Sequence, residues 1–430
     1  MSKKTTSKKT SKTARLQALG LGLGALGLAA ALWGGSAQAQ SCGLNNGKKA
    51  SGEPIPVGAV VGKTGPDDFS ASAAAAAAYF SCVNSNGGIN GRPVDYQVAD
   101  DQWNPEVAAQ VASKLVKDRK VVAMAGNTSF VECGANARLY AQENVMVVAG
   151  TGVPRECFFA RNYVPLNAGP RVSATIAAMY AARQYKAKKM VCVIPNIPSL
   201  GNWACEGPKE WGRKNGVEVQ TLTIDPGSAD PTSVVLQAAA QKPDAILFDV
   251  PKGLLVPMLG AAEQQGLGRK IHFLSAAPAY NIEVPKAIGA YWKDNFDTNL
   301  EFQPLESKGP DNLNWLAIMD KYGRKDDPRD TFSQAGYLSA RLLTETLLKM
   351  DPAKIDRASV TAALRKVADF RSDILCTPFH IGDGQRHNAN FSGPMARSTG
   401  TGWAPTEPCM QADDPELADV RSDAQKLGLK

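Results

Sequence analysis

From residue 55 onward, short apolar runs alternate with helix-like stretches, and this alternation limits the folds open to the chain more than any other feature. Ile55-Pro56-Val57-Gly58-Ala59-Val60-Val61 reads as a buried strand that stops at the turn Thr64-Gly65-Pro66. The Ala-rich stretch from Ser70 to Val83 reads as a helix, since alanine loses least on entering one. Asn86-Gly87-Gly88 ends it, because glycine accepts the left-handed backbone of a helix terminus. Val94 to Ala99 alternates like a strand, and Asn104-Pro105-Glu106 opens the next helix with Asn at the cap and Pro in the first turn. Strands over 121–125 and 145–149 then frame a helix over 135–143. Strand, helix and strand in succession give a parallel sheet with helices on both faces.

The series then restarts. Helices over 173–185, 205–215, 232–241 and 254–265 alternate with strands over 189–194, 217–224, 245–249 and 271–275. A single core rarely organises so long a chain. The expected fold is α/β: two Rossmann-like lobes with parallel sheets, joined by a hinge. The chain is expected to cross near Asn167 and to return near Tyr280. Helices over 311–322, 332–350 and 357–367 follow, then a stretch from Leu375 rich in Gly, Pro, Asn and Ser. The first lobe then comprises 54–166 and 281–372, the second 167–280 and 373–410, with 411–430 as a C-terminal tail. In open parallel sheets ligands bind beyond the carboxyl ends of the strands. Six loops are therefore expected to face one cleft: 62–69, 126–130, 149–153, 195–203, 249–253 and 275–280.

The N-terminus reads as an export signal. Lys3, Lys4, Lys8, Lys9, Lys12 and Arg15 precede a Leu-, Gly- and Ala-rich run, which ends at Ala37-Gln38-Ala39. A basic part, a short apolar part and an A-x-A site make a cleavable signal over residues 1–39. The run is shorter than the ~20 apolar residues of a membrane-spanning helix. Ala39-Gln40-Ser41 ahead of Cys42 lacks the pattern of a lipid-attachment site. The signal carries six basic and no acidic residues, so the charge of +7 falls to about +1 without it. No basic block is left for a nucleic acid or an anionic membrane surface.

All eight cysteines lie beyond the signal, and an even count in an exported chain reads as disulfides. Pairing of sequence neighbours joins Cys42 to Cys82, Cys133 to Cys157, Cys192 to Cys205 and Cys376 to Cys409. Other motifs fall short. Gly58-Ala59-Val60-Val61-Gly62-Lys63-Thr64 is one residue too short for a phosphate-binding loop. His272, His380 and His387 lack metal-ligand spacing, and no G-x-S-x-G is present. No metal, no cofactor and no enzymatic activity are expected.

The stretch CVNSNGGINGRPVDYQVADDQWNPEVAAQVASKLV, with GAVVGKTGPDD before it and VVAMAGNTSF and ENVMVVAGTG after it, resembles the leucine/isoleucine/valine-binding protein family. These are type I periplasmic solute-binding proteins of ABC importers. The resemblance implies a periplasmic monomer that hands a small ligand to a membrane permease. It implies that Thr128 or Ser129, with Ala149-Gly150-Thr151, binds the ligand carboxylate. Strand-end hydroxyls and N–H groups suit an anion, though Thr128 and Ser129 could equally cap the helix that follows. Phe69, Asn196, Trp203, Asp249 and Tyr280 are further candidates from the cleft loops. Trp203 could instead pack beside the cysteine at 205. Relatives usually place an acid near the last cleft loop for the ligand ammonium, whereas 275–280 here has none and only Asp249 could substitute. The ligand is thus a branched-chain or other amino acid, or else an aromatic or other carboxylate without an amine. A sensor or an enzyme on the same fold is the third reading. Peptide mapping without reduction is expected to recover the four neighbour-linked pairs, and one crossed pair would refute that arrangement.

Overall fold

The structure is a computed structural model that describes residues 41–65 and 67–429; the expected signal segment lies outside the described residues. Strand β1 (Ile55–Val61) lies within a five-stranded parallel sheet. Its partners are β2 (Val94–Asp100), β3 (Ala123–Ala125), β4 (Val147–Ala149) and β5 (Tyr163–Pro165), in the order β2-β1-β3-β4-β5. The central strands are buried on both faces, which is why they read as plain apolar runs. Asn104 caps its helix, accepting from the N–H groups of Glu106 and Val107 at 2.8 and 3.0 Å. Strand β5 escaped the sequence reading because it is only Tyr-Val-Pro. Its proline is tolerated at the sheet edge, where one side needs no ladder.

The second sheet has seven strands. They are β6 (Lys189–Pro195), β7 (Glu218–Ile224), β8 (Ala245–Phe248), β9 (His272–Ser275), β10 (Phe296–Asn299), β11 (Ser392–Ser398) and β12 (Trp403–Gln411). The order is β12-β11-β10-β9-β8-β6-β7. Strands β6 to β10 are parallel, while β11 runs antiparallel to β10 and forms a hairpin with β12. Strand order reverses between β1 and β3 in one sheet and between β6 and β8 in the other. A ligand cleft opens at such switch points.

Two expected crossings move. The return placed near Tyr280 occurs after β10, whose Phe296, Asp297 and Thr298 pair with β9. The crossing expected at 373 occurs near 388–391. Up to there the chain still bonds the first lobe, from Ile381 N–H to the Val367 carbonyl and from His387 N–H to the Phe158 carbonyl. Between these crossings, helices Pro310–Tyr322, Thr331–Leu348 and Arg357–Arg365 pack on the first lobe. Gly336 lets helix Thr331–Leu348 cross helix Ala71–Ser85 closely, since a Cβ there would lie 1.9 Å from the Ser72 carbonyl oxygen. The C-terminal tail ends in a helix, Ala418–Lys426, and buries Leu417, Val420 and Ala424 against the second lobe. Buried Arg171 anchors this tail through Asp414 at 2.6 Å. The structure joins Cys42 to Cys82, Cys133 to Cys157, Cys192 to Cys205 and Cys376 to Cys409.

The three crossings, 166–169, 300–303 and 388–391, lie side by side and share one buried polar clasp. Glu301 Oε1 accepts from Asn167 Nδ2 at 2.8 Å and from Gly169 N–H at 2.7 Å. Asn390 Nδ2 donates to the carbonyls of Leu166 and Glu301, both at 3.0 Å, and Asn388 Nδ2 donates to that of Ala168 at 3.0 Å. The two asparagines satisfy main-chain carbonyls of the first and second crossings, and Glu301 satisfies donors of the first. Asn390→Ala strips a buried donor from two carbonyls, and each unpaired group costs about 1–3 kcal/mol. Urea unfolding at neutral pH is expected to show a loss of at least about 2 kcal/mol.

Candidate ligand-binding site

Between the two sheets lies a narrow cleft, with about 460 Å³ of space between its walls when open solvent is included. Each of the six expected loops contributes to its wall: Phe69, Phe130, Thr151, Pro195, Asp249 and Pro278 are one residue from each. The wall is largely apolar. Phe69 is its aromatic centre, with ring centroids of Phe130 and Phe332 at 5.1 and 5.4 Å. Trp103 stacks behind Phe130 at 4.5 Å.

Polar groups are few. Asp249 follows β8, held by its N–H on the Val193 carbonyl at 2.9 Å. Its side chain enters the cleft, and Oδ2 is buried without a hydrogen-bond partner. Glu301 lines the same cleft from the hinge. Burial raises the Glu301 carboxyl to about 7 against the hydrogen bonds from Gly169 and Asn167 that favour its charge. Burial, then the neighbouring Glu301 charge, holds Asp249 well above the ordinary carboxylate range. Thr151 Oγ1 is also buried and unpartnered. Ser173 and Asn167 line the cleft but are engaged: Ser173 Oγ donates to Asn299 at 2.7 Å and accepts from Ala277 N–H, while the Asn167 amide brackets Gly152. No Lys, Arg or His is among the described residues lining this space.

Of the ten residues put forward from the sequence, Phe69, Thr151 and Asp249 line the cleft. Tyr280 lies in a small adjoining space with Asp67, Asp330 and Lys252, and its hydroxyl accepts from Leu305 N–H at 3.1 Å. Thr128 Oγ1 turns back to the Asn127 carbonyl at 2.8 Å. Ser129 Oγ donates to buried Asp101 and accepts from the N–H groups of Val131 and Glu132, so it caps helix Glu132–Gln142. Behind it, burial lifts Glu132 to about 7, opposed by hydrogen bonds from Tyr140, Tyr163 and Asn127. Ala149 and Gly150 are buried beneath the cleft. A Cβ on Gly150 would lie 2.0 Å from Ser72 Oγ, so this glycine serves helix packing. Asn196 is exposed on the surface. Trp203 donates from Nε1 to Glu416 at 2.9 Å and packs on Phe158, which ties the C-terminal tail rather than the cleft.

Glu301, Asn167 and Phe332 are wall residues that the sequence did not announce. Phe332 begins a helix that was expected, and its place ahead of that helix's apolar stripe was the available signal. Glu301 follows the short strand Phe-Asp-Thr-Asn, in which Asp and Asn are poor β formers, so its position at a strand end was hidden.

The chain has known relatives. Residues 54–401 match the periplasmic binding protein family. The Leu/Ile/Val-binding protein BraC3 of Rhizobium johnstonii is 23% identical over 292 residues, 66% of this chain and 75% of that protein. A solute-binding protein of an R. palustris ABC transporter, solved in complex with 4-hydroxybenzoate, shares the fold with a TM-score of 0.73 at 19% identity. That alignment covers 85% of this chain and all of the other. A fatty acid ABC transporter substrate-binding protein from Thermomonospora curvata does so with a TM-score of 0.74 at 20% identity, over 86% and 95% of the two chains. With two switch-point sheets facing one cleft across three crossings, and the family match running through both lobes, the chain belongs to the periplasmic binding protein family.

Proposed function

We propose that this chain is the extracytoplasmic solute-binding protein of an ABC importer, and that it captures a small amine-bearing ligand, an amino acid with an apolar or aromatic side chain. The observation that carries this reading is Asp249, an unpartnered carboxyl inside an apolar cleft and beside Glu301. It stands where the last cleft loop lacks an acid. An ammonium placed there restores the favourable charge state of both carboxyls, while the body of the ligand packs on Phe69, Phe130 and Phe332. Phe69, Phe130 and Thr151 come from the first lobe, Asp249 and Leu200 from the second, so the contacts are complete only when the lobes are closed. Ligand shifts the open–closed equilibrium by its preference for the closed form, and a membrane permease reads that form. The site is assigned binding and no catalysis.

An aromatic carboxylate without an amine is the second reading. The aromatic wall favours it, and the R. palustris protein of the same fold holds such a ligand. Against it stand two acids and no base in the wall.

A thermal-shift panel on residues 40–430 tests the choice. Leucine, isoleucine, valine and phenylalanine are expected to stabilise the protein, by about 2.7 kcal/mol at a hundred times the dissociation constant. If 4-hydroxybenzoate and 4-methylpentanoate act and the amino acids do not, the second reading replaces the first. Asp249→Asn is expected to weaken amino-acid binding at least about thirtyfold, the lower end for unpairing a buried charge at about 2 kcal/mol. The pH dependence has a defined sign. An ammonium keeps its charge between pH 5 and 8, so only the acids titrate. Protonation of Glu301 as pH falls through about 7 removes negative charge from the cleft, and calorimetry is expected to show affinity falling with it.

A further inference from the structure

We propose that this cleft holds its ligand by the ammonium alone, so that amines lacking a carboxylate bind at least as tightly as the matching amino acids. This rests on the amine-bearing reading above and narrows it.

The first support is a count of donors. A ligand carboxylate needs N–H or O–H groups or a cation. Two of the three hydroxyls expected to serve it are spent inside the first lobe, Thr128 on the Asn127 carbonyl and Ser129 on Asp101, which leaves the O–H of Thr151 as the free one. Two main-chain donors of the neighbouring segment are spent as well. Thr151 N–H bonds the Asn127 carbonyl at 3.1 Å, and Gly152 N–H bonds Asn167 Oδ1 at 2.8 Å. No base lines the cleft. Opening of the lobes does not free these groups, because Asp101, Asn127, Thr128 and Ser129 all belong to one lobe.

The second support is the complementary count of acceptors. The groups with free capacity are Thr151 Oγ1 and Asp249 Oδ2, both on side chains more than nine-tenths buried and both unpartnered, with the Glu301 carboxyl beside them. An ammonium has three N–H donors and no acceptor. Three oxygens from three segments match it, and two of them carry the charge to balance it. A carboxylate added to the same small space would require both acids to stay protonated, since their charged forms would repel it strongly at low local dielectric. The adjoining space continues the pattern. Asp67, Asp68 and Asp330 surround it, and its one base, Lys252, is ion-paired with Glu283 at 3.6 Å.

Isothermal titration of residues 40–430 with matched series decides the question. Leucine is compared with 3-methylbutylamine and 4-methylpentanoate, and phenylalanine with 2-phenylethylamine and 3-phenylpropanoate. The expected result is a dissociation constant for each amine equal to or below that of its amino acid, with no binding of either acid at millimolar concentration. Amino acids binding tenfold more tightly than the amines would overturn the inference and leave the amino-acid reading standing. Binding of the acids alone, or of none of the six, would overturn both. Thr151→Val supplies a second readout: amine and amino acid are expected to weaken by the same factor, about tenfold. If only the amino acid weakens, Thr151 holds the carboxylate and the inference fails.

Discussion

One buried carboxylate belongs to the hinge and to the cleft at once. Glu301 stands on the second crossing, accepts from Asn167 and Gly169 on the first, and shows its remaining face to the ligand space. Its main-chain carbonyl also receives Asn390 from the third crossing. The three segments that join the lobes are therefore tied through one residue that also lines the ligand space. Helix packing and three of the disulfides hold the lobes together internally, while Cys376–Cys409 bridges the first lobe to β12; this clasp is where the hinge's hydrogen bonds meet the ligand space. Burial raises the cost of the Glu301 charge, while the donors from the first crossing lower it, so the carboxyl sits close to the point where either state is reachable.

The elements that were legible in the sequence are those whose signal is local. An apolar run buried on both faces, an Asn-Pro helix start and an Ala-rich helix each announce themselves over a few residues. The neighbour pairing of cysteines is legible for a related reason, since each bridge joins cysteines no more than 40 residues apart in the sequence. Strand β10 was not legible because Phe-Asp-Thr-Asn takes its β form from its neighbours. Asp297 is tied to Arg397 of β11 at 2.9 Å, and Thr298 donates nearby to the Ala276 carbonyl. Missing that strand shifted the return crossing, and with it went Glu301.

The cleft divides in the same way. Which loops face it follows from strand order, and all six reach it. Which side chain of each loop turns inward depends on partners far away in the sequence. Ser129 looks like a ligand donor until Asp101, on another loop, takes its hydroxyl proton. Trp203 looks like a cleft aromatic until the C-terminal tail folds back and offers Glu416. Asp249 is the converse case. Its place at a strand end made it a candidate, and it keeps an unpartnered oxygen in the cleft because no distant group consumes it. Residue type at a strand end states what chemistry is available, and long-range hydrogen bonding then decides how much of it is already consumed.

The consumed and unconsumed groups together explain how such a cleft can signal occupancy. In the closed form without ligand, Asp249 and Glu301 face each other in an apolar wall with no base to offset them. Both must then lose charge or bear the cost of desolvation, and either course penalises closure. Opening of the lobes, on the same reading, would let water reach Asp249 and relax the penalty. A cation between them removes the penalty only when the lobes are closed. The acids thus create a difference in ligand affinity between the two forms, and that difference alone can move the equilibrium. An apolar body packed on Phe69, Phe130 and Phe332 adds affinity, but without the cation it leaves the opposed charges unanswered. On the proposed reading, the ammonium is the part of the ligand that makes closure favourable, and Glu301 is the residue that would carry its effect to the hinge.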